Sequence, residues 1–479
     1  MQRPSALVDR LSGFALLWAM ATLIHQASFT GWISERWPLG WALTGLATLV
    51  VIWPRSISLF ATMVAISAMY TTQRLPSIPN HILFELFVNL TILGGLGLGW
   101  LEARRQGLQG KEARERIYSA FASTVRFEVL LLYFFVTLHK LNRDFFDPEV
   151  SCGGTLFNMM VDNAPVLAES SLVQIGCIAA TLLFEAGIPV LLMFQRTRAL
   201  GIVVGFFFHL VIGFVPHGGV YSFSALMMAL FFLFIPAQSV QGLGDMAERL
   251  LTRLSIPRAG AVYRILAMAG VTATVAVWVW GWHRAGHLSM AKVGFAQWLA
   301  WSAILLFAFL AAVRSNTVPW TSFQVAIWPA RPVLWLFPLL ITLNGFSPYL
   351  GSKTQTSFAM FSNLRTENGR SNHLFLAGVP QIWSYQRDIV TIVRSDQYVF
   401  ERLRQKDLQL PYFEFQTHLS NIEDDLEVVF LLNGEPRKVE RVDGQLSADS
   451  EPLDPGSSIE RKWLRFRPFD AGPKMRCRH

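Results

Sequence analysis

Three ionisable residues stand inside long apolar stretches of the sequence, where charge is costly. Lys140 closes one apolar run, Glu185 lies one turn before a proline in the next, and His209 follows three phenylalanines in a third. Ionisable side chains at such positions normally face a bundle interior or a water-filled cavity and mark functional sites. A lysine amine withdrawn from water gives up its proton more readily, so Lys140 is a candidate general base.

Each of the three residues also has a structural explanation. Lys140 fits equally well a membrane-edge anchor, whose aliphatic stem lies in lipid while the ammonium group reaches water. A buried Glu185 must be protonated or paired, with Arg196, Arg198 or a histidine as its partner. His209 can be a core histidine that is satisfied by one hydrogen bond. Because the three residues fall on consecutive predicted spans, they can meet inside one bundle.

The composition places the chain in a membrane. Hydrophobic residues make up 52% of the sequence and charged residues 15%, whereas a soluble domain carries roughly 25% charged residues. Since about 20 apolar residues cross the hydrocarbon core, we predict about nine to eleven spans. The candidates lie at 11–30, 39–54, 56–70, 82–101, 126–142, 172–195, 199–216, 220–236, 261–282, 293–313 and 330–346. The segments 111–125 and 241–254 mix charge with apolar residues at helical spacing, which predicts interfacial helices.

Charges are distributed differently on the two sides of residue 345. Before it they cluster between apolar runs, and after it they are spread throughout. We therefore predict an all-α polytopic membrane bundle over 1–345, followed by a small mixed α/β extramembrane domain over 346–479. In that domain, 394–408 predicts an amphipathic helix, and 426–432 with 437–442 predicts a hairpin around Asn433-Gly434. Asn368-Gly369 predicts a turn between short strands, with a binding loop as the alternative.

The positive net charge of +8 does not indicate nucleic acid, because many of the basic residues flank apolar runs instead of gathering on one water-facing surface. Basic loops stay in the cytoplasm. The basic segment 104–116 is therefore predicted inside, and the acidic segment 143–171 outside. Counting eleven spans from a cytoplasmic N-terminus places the C-terminal domain on the periplasmic side, and losing one span reverses this.

The three cysteines offer neither a CxxC pair nor a zinc pattern. They are Cys152, Cys177 and Cys477, and we expect no metal site. Cys152 and Cys477 would face the same oxidising side, so a disulfide between them is one alternative. Unpaired cysteines are the preferred interpretation.

Three stretches of the sequence resemble a known family. They are His139-Lys140-Leu141-Asn142-Arg143-Asp144-Phe145, the segment from Glu185 to Pro189, and the segment from Gly201 to His209. Together they are similar to the horizontally transferred transmembrane (HTTM) family, which includes the vitamin K-dependent gamma-carboxylase. The segment 344–374 further resembles a C-terminal extension that is found in a bacterial branch of the family.

The resemblance implies a bacterial inner-membrane enzyme. It implies Lys140 as the base that deprotonates a reduced quinone of the vitamin K or menaquinone type, with His139 and Asn142 at the cofactor and Glu185 and His209 completing the catalytic set. In that chemistry, reaction with O2 gives an epoxide and a strong base, which removes a proton from a substrate before CO2 adds. The implied partners are the lipid bilayer, the quinone, and a small-molecule or peptide substrate.

Two other classes of function fit the same residues. In a transporter or lipid-binding membrane protein, Glu185 and His209 would line a proton or substrate path. In a non-catalytic membrane partner, the C-terminal domain would be presented to a neighbouring protein.

Overall fold

A computed structural model describes residues 9–29, 38–161, 170–215, 217–253, 259–285, 287–314, 323–378, 381–449, 451–452 and 457–478. Each predicted span overlaps a helix in these residues. The helices are α1 (Arg10–Ser28), α2 (Leu39–Ile52), α3 (Ile57–Arg74), α4 (Asn80–Arg105), α5 (Gly110–Lys140), α6 (Cys152–Met160), α7 (Ser171–Met193), α8 (Arg198–Ile212), α9 (Gly218–Phe231), α10 (Ala237–Arg253), α11 (Ala259–Ala285), α12 (His287–Arg314) and α13 (Leu336–Leu350).

Five stretches of helix in the described residues are long and apolar enough to cross a membrane. They are Asn80–Arg105, Gly110–Lys140, Ser171–Met193, Lys292–Leu310 and Pro332–Leu350. Three further apolar helical stretches are shorter: Leu39–Ile52, Arg198–Ile212 and Gly218–Phe234. The chain is therefore a multi-pass membrane protein, while the count of nine to eleven spans stays a prediction.

The chain divides into two compact units. Unit 1 comprises Met1–Gln73, Phe84–Tyr133 and Leu183–Ile341, and unit 2 comprises Arg74–Leu83, Phe134–Leu182 and Thr342–His479. The predicted boundary at residue 345 was drawn from composition and stays a prediction.

Within unit 1, two glycines let α4 and α5 approach closely. A side chain at Gly95 would overlap Phe121, and one at Gly99 would overlap the backbone of Ile117. Small residues four apart allow helix backbones to come together, which is the usual way that helices associate in lipid. This approach fixes the position of α5, the helix that carries the first candidate residues.

Unit 2 contains a sheet in which all the described strand pairs are antiparallel. Its strands are β1 (Ile389–Ser395), β2 (Leu408–Pro411), β3 (Leu426–Leu432), β4 (Glu435–Val442), β5 (Gln445–Ala448), β6 (Glu451–Pro452) and β7 (Phe469–Asp470), in the order β6-β5-β4-β3-β1-β2-β7. The short helices α14 (Tyr398–Gln405), α15 (Tyr412–Ser420) and α16 (Ser458–Trp463) lie between strands in the sequence. Alternating residues of β3 pack into the core with side chains from α14 and α15, so this region folds as an α/β layer.

The hairpin around Asn433-Gly434 is confirmed, with Leu432 opposite Glu435 across the turn. Two other sequence predictions need correction. The segment 111–125 is not a separate interfacial helix, because it continues without a break into the following span as α5. The segment 394–408 is helical only over Tyr398–Gln405, since its ends belong to β1 and β2.

The Asn368-Gly369 turn is present, with φ values of 59° and 63°. The residues beside it are not in strands. Instead, the following stretch pairs with the end of α5: the Leu374 amide donates to the carbonyl of Leu141 at 2.9 Å, and the Arg143 amide donates to the carbonyl of Asn372 at 3.1 Å. The segment that follows the turn therefore forms backbone hydrogen bonds with the residues at and just after the end of α5.

Cys152 and Cys477 form a disulfide, with their Cα atoms 4.8 Å apart. Cys152 is fully buried and packs with Phe145 and Ile178. The preference for unpaired cysteines was therefore wrong. Spacing along the sequence could not show this, because 325 residues separate the two positions.

Replacement of Cys152 by Ser should lower the free energy of unfolding by about 2 to 5 kcal/mol, because the cross-link restricts the unfolded chain. Thermal unfolding of the detergent-purified protein measures this. Cys177→Ser is the matched control, since Cys177 is the free cysteine. Equal melting of Cys152→Ser and Cys177→Ser would show that the bond adds no stability.

Candidate functional site

The segment 139–142 at the end of α5 is enclosed by protein. His139, Lys140 and Asn142 are 0%, 2% and 0% exposed. The Lys140 amine is thus enclosed in the protein and is not extended to a membrane surface. Its Nζ donates to the carbonyl of Met360 at 3.1 Å and to that of Val136 at 3.4 Å.

His139 is held between two oxygen atoms. Its Nε2 lies 3.1 Å from the carbonyl of Ser357, and its Nδ1 lies 3.0 Å from the hydroxyl of Tyr349. Because a carbonyl can only accept, Nε2 carries the proton and donates to Ser357. Nδ1 then accepts from the Tyr349 hydroxyl. The neutral imidazole therefore satisfies both contacts.

The Asn142 side chain is also fully engaged. Its Nδ2 donates to the carbonyls of His139 at 2.7 Å and Ser362 at 2.5 Å, and its Oδ1 accepts from the Phe145 amide at 2.9 Å. The Phe145 ring lies beneath the neighbouring amine, with its centroid 5.9 Å from Lys140 Nζ. Phe145 therefore places an aromatic face beside the lysine.

The side chains of His139, Lys140 and Asn142 donate hydrogen bonds to the segment from Gly351 to Leu364, which we term the 351–364 loop. Four of its non-glycine residues have left-handed backbone, namely Thr356, Phe358, Phe361 and Asn363. Such conformations cost energy and persist only where the surroundings impose them. Further side chains fix the loop: Asn344 donates to the carbonyl of Thr356 at 2.9 Å, and Asn80 accepts from the Phe358 amide at 2.7 Å.

Lys353 of the same loop was not predicted from the sequence. It is 7% exposed, and its Nζ donates to the Thr356 hydroxyl at 3.3 Å. Burial lowers the pKa of Lys353 from 10.5 to about 7. Its polar neighbours in the sequence gave no signal of burial, so only the folded loop identifies it.

The buried Lys353 should make stability depend on pH. Its folded-state pKa is below its unfolded value, so the unfolded chain binds an extra proton between about pH 7 and 10.5, and stability rises with pH there by up to about 1.4 kcal/mol per unit. Lys353→Met removes this pH dependence of stability. The increase in the free energy of unfolding that the substitution causes should therefore be larger at about pH 7 than at about pH 9. Melting temperatures across this range test it.

The exposed lysine Lys406 provides the control, because Lys406→Met should leave the pH dependence of melting unchanged. A constant difference in melting temperature between Lys353→Met and the wild type at all pH values would contradict the shifted pKa of Lys353.

A second cluster lies in unit 1. Tyr133 of α5 and His209 of α8 are both buried, and the Tyr133 hydroxyl lies 2.8 Å from His209 Nε2. Glu185 of α7 interacts electrostatically with Tyr133. Tyr133 is thus a common neighbour of Glu185 and His209. It was not among the residues predicted from the sequence. The signal for Tyr133 was weak, since it is one aromatic residue among many in its span.

Arg198 does not pair with Glu185. Its guanidinium donates to main-chain carbonyls, including that of Leu192 at 2.8 Å and that of Phe323. Of the predicted site residues, Lys140, His139 and Asn142 belong to unit 2, whereas Glu185 and His209 belong to unit 1.

Unit 1 buries other polar groups within its helices. Glu128 accepts from the Thr91 hydroxyl at 2.5 Å. Asn89 accepts from the Trp18 indole at 3.0 Å and donates to the Ser67 hydroxyl at 3.1 Å. These residues were not among those predicted from the sequence, although an acidic residue in an apolar helix is a signal of function.

Among the described residues, no group of three His, Cys, Asp or Glu side chains is placed to hold a metal ion. The groups that the two clusters offer are an amine, an imidazole, a phenol and a carboxyl, all of which can accept or donate protons. Each cluster by itself therefore offers groups of the kinds that take part in proton transfer.

These features define a multi-pass helical membrane protein with enclosed ionisable side chains. The family model described as the HTTM domain matches residues 105–237. This segment contains Lys140, Glu185 and His209, and the match supports the resemblance to the HTTM family. No curated protein and no solved structure matches the chain.

Proposed function

We propose that the chain is a membrane enzyme in which Lys140 acts as a general base on a reduced quinone, in a reaction resembling that of the vitamin K-dependent gamma-carboxylase. The enclosed position of the Lys140 amine carries this proposal. The HTTM match over residues 105–237 supports it, because HTTM domains occur in carboxylase-like membrane proteins.

The contacts of Lys140 suit a base. Its nitrogen donates to the carbonyls of Val136 and Met360. These acceptors and the ring of Phe145 stabilise the positive charge that the nitrogen carries once it has taken a proton.

The polar atoms of His139 and Asn142 have protein partners, so we assign them to positioning of the 351–364 loop and not to quinone contact. The side chain of His209, in unit 1, is less completely engaged. Its Nδ1 is buried and has no hydrogen-bond partner among the described residues, and the rings of Phe223 and Phe231 lie 5.2 and 5.7 Å from its own.

Within unit 1, the Nδ1 of His209 is therefore left to form a hydrogen bond with a ligand or a water. When bound, a reduced quinone would supply the electrons for reaction with O2. The Tyr133 hydroxyl, which is hydrogen-bonded to His209 and interacts electrostatically with Glu185, connects these two residues for proton exchange. Addition of CO2 to a substrate remains part of the proposal through the family resemblance alone.

Lys140→Ala should lower epoxide formation from reduced menaquinone or vitamin K and O2 by about 10²- to 10⁴-fold, the usual contribution of a general base. Detergent-purified protein and analysis of the quinone products measure this. Lys111→Ala is the control, because Lys111 is exposed at the other end of the same helix. Small amines added to Lys140→Ala should restore part of the rate, which a purely structural lysine would not allow.

Several outcomes would contradict this proposal. Absence of epoxide from the wild type with every quinone tested would remove the enzyme assignment, as would an unchanged rate in Lys140→Ala. Uptake into vesicles that depends on Glu185 but not on Lys140 would support a transporter instead. Loss of a cellular phenotype on deletion of 347–479, but not in Lys140→Ala, would support a non-catalytic partner.

For localisation we propose the bacterial inner membrane, with the N-terminus in the cytoplasm and the C-terminal region in the periplasm. The disulfide between Cys152 and Cys477 supports this orientation, because such bonds form and persist in oxidising compartments. It also agrees with the acidic character of the segment 143–171.

This orientation can be tested in a Cys177→Ser background, where the disulfide blocks the other two cysteines. A cysteine introduced at the exposed Arg402 should react with a membrane-impermeant maleimide in intact spheroplasts. Lys111→Cys should react only after lysis. The reverse pattern would place the C-terminal region in the cytoplasm.

A further inference from the structure

Unit 2 exposes a group of apolar side chains in the stretch 374–383, which we term the apolar segment. No acidic or basic residue occurs from 374 to 386, although charges are spread through the rest of the chain after residue 345. The exposed side chains are Leu374, Phe375, Ile382 and Trp383, at 46%, 75%, 70% and 44%. A group of exposed apolar side chains marks an interaction surface.

The start of the apolar segment is held at the end of α5. The Leu374 amide donates to the carbonyl of Leu141 at 2.9 Å. The preceding residue, His373, is 1% exposed. Its Nε2 donates to the carbonyl of Leu138 at 2.9 Å, and its Nδ1 accepts from the Phe375 amide at 3.0 Å. Both the backbone and a buried side chain therefore fix this end.

The other end of the apolar segment is held at the end of α13. The Trp383 amide donates to the carbonyl of Leu350, the last residue of that helix, at 3.0 Å. The next residue is Gly351, which has a φ of 82°. A side chain at this position would overlap the carbonyl oxygen of Trp383 and crowd Cβ of Gln381. The glycine thus lets the apolar segment pack directly on the end of the helix.

These contacts place the apolar segment at the level where two spans end. Gly110–Lys140 and Pro332–Leu350 are both long and apolar enough to cross a membrane. The two halves of the segment lie near each other, since Leu376 and Gln381 line one cavity. Its described residues form neither helix nor strand. Such backbone is excluded from the hydrocarbon core, so the membrane–water interface is the depth that suits it.

The helices that hold the apolar segment also expose apolar side chains. Phe134 of α5 and Leu343 of α13 are 49% and 52% exposed, as expected for the lipid-facing surface of a multi-pass membrane protein. Tryptophan is enriched at the headgroup level of such proteins, which is the level that Trp383 occupies at the end of α13. The apolar segment therefore continues a surface that lipid covers.

We propose that the apolar segment is a lipid contact of the C-terminal region. Its four exposed apolar side chains insert at the boundary between headgroups and acyl chains, in the leaflet where α5 and α13 end. Apolar faces that lie in the interface reach about 5 to 10 Å into this boundary. The contact would keep the ends of both helices, and with them the segment 139–142, at a fixed depth in the membrane.

Fluorescent labels on single cysteines test the depth of the apolar segment. The full chain carries Cys177→Ser, so that the disulfide occupies the other two cysteines, and is reconstituted in bilayers of phosphatidylethanolamine and phosphatidylglycerol. Phe375→Cys and Ile382→Cys place an environment-sensitive fluorophore on the segment. Quenching is measured with aqueous iodide, with a lipid that carries a nitroxide near its headgroup, and with a lipid that carries one near the end of its acyl chain.

Two further labelled positions in unit 2 are the controls. Leu343→Cys reports a lipid-facing site, because Leu343 lies two turns, or about 10 Å, before Leu350 along α13. Val442→Cys reports a water-facing site. Val442 is 59% exposed and stands between Arg441 and Asp443 in the sequence.

We expect the labels on the apolar segment to be quenched severalfold more by the shallow nitroxide than by the deep one. Iodide should quench them severalfold less than it quenches the label at Val442. The label at Leu343 should respond most to the deep nitroxide, and the label at Val442 should respond to iodide alone.

A charge introduced into the apolar segment gives a second measurement without labels. Phe375→Asp should lower the melting temperature of the protein in bilayers by several degrees, because the carboxylate loses hydration at the interface. Tyr398→Asp is the matched control. Phe375 and Tyr398 are aromatic residues with similar exposure, 75% and 78%, but Tyr398 lies on the charged helix α14. Its replacement should leave the melting temperature unchanged.

The proposal is overturned if iodide quenches the labels at Phe375 and Ile382 as strongly as the label at Val442, which would leave this surface in water for a protein partner. Stronger quenching by the deep nitroxide would also overturn it, as would equal melting temperatures for Phe375→Asp and Tyr398→Asp in bilayers. None of these measurements involves quinone turnover, so the outcome is independent of the proposed base reaction.

Discussion

The carbonyl groups of the 351–364 loop need donors, and the surrounding side chains supply them. Backbone that is neither helix nor strand must find its hydrogen bonds elsewhere when it is buried. Here His139, Lys140 and Asn142 donate to Ser357, Met360 and Ser362 in turn. The segment 139–142 thus holds the 351–364 loop in its strained conformation, and the loop in turn holds that segment in place.

This reciprocity gives Lys140 a structural role that does not exclude the proposed one. A lysine that donates to carbonyl oxygens helps to hold the loop. The same loop encloses the amine, and the proposed reaction requires such an enclosed position. The carbonyl acceptors are held in place by the fold, so they would need no reordering in a proton transfer at this amine.

The sequence predicted most of the helices well, since apolar runs of membrane length leave few alternatives. It also predicted the hairpin at Asn433-Gly434 from its turn residues. It missed the continuity of α5, because a charged first half resembles an interfacial helix until its packing against α4 is known. The pairing of Cys152 with Cys477 and the burial of Lys353 depend on contacts between distant segments. Local sequence patterns do not indicate these contacts.

The candidate site was predicted only in part, again because local sequence patterns do not show contacts between distant segments. Lys140, Glu185 and His209 stood out because charge in an apolar run is rare, and all three are buried. Tyr133 did not stand out, since tyrosine is common in many settings. Its contacts with His209 and Glu185 join helices that are distant in the sequence, and only the folded chain shows them.

The long separation of the disulfide partners has a consequence for biosynthesis. Cys152 is synthesised 325 residues before Cys477, so at ordinary elongation rates its thiol waits roughly 15 to 65 s for its mate. Ten of the described helices, from α7 to α16, are made in that interval. The cross-link can therefore close only after almost all of the chain that it encloses has been synthesised.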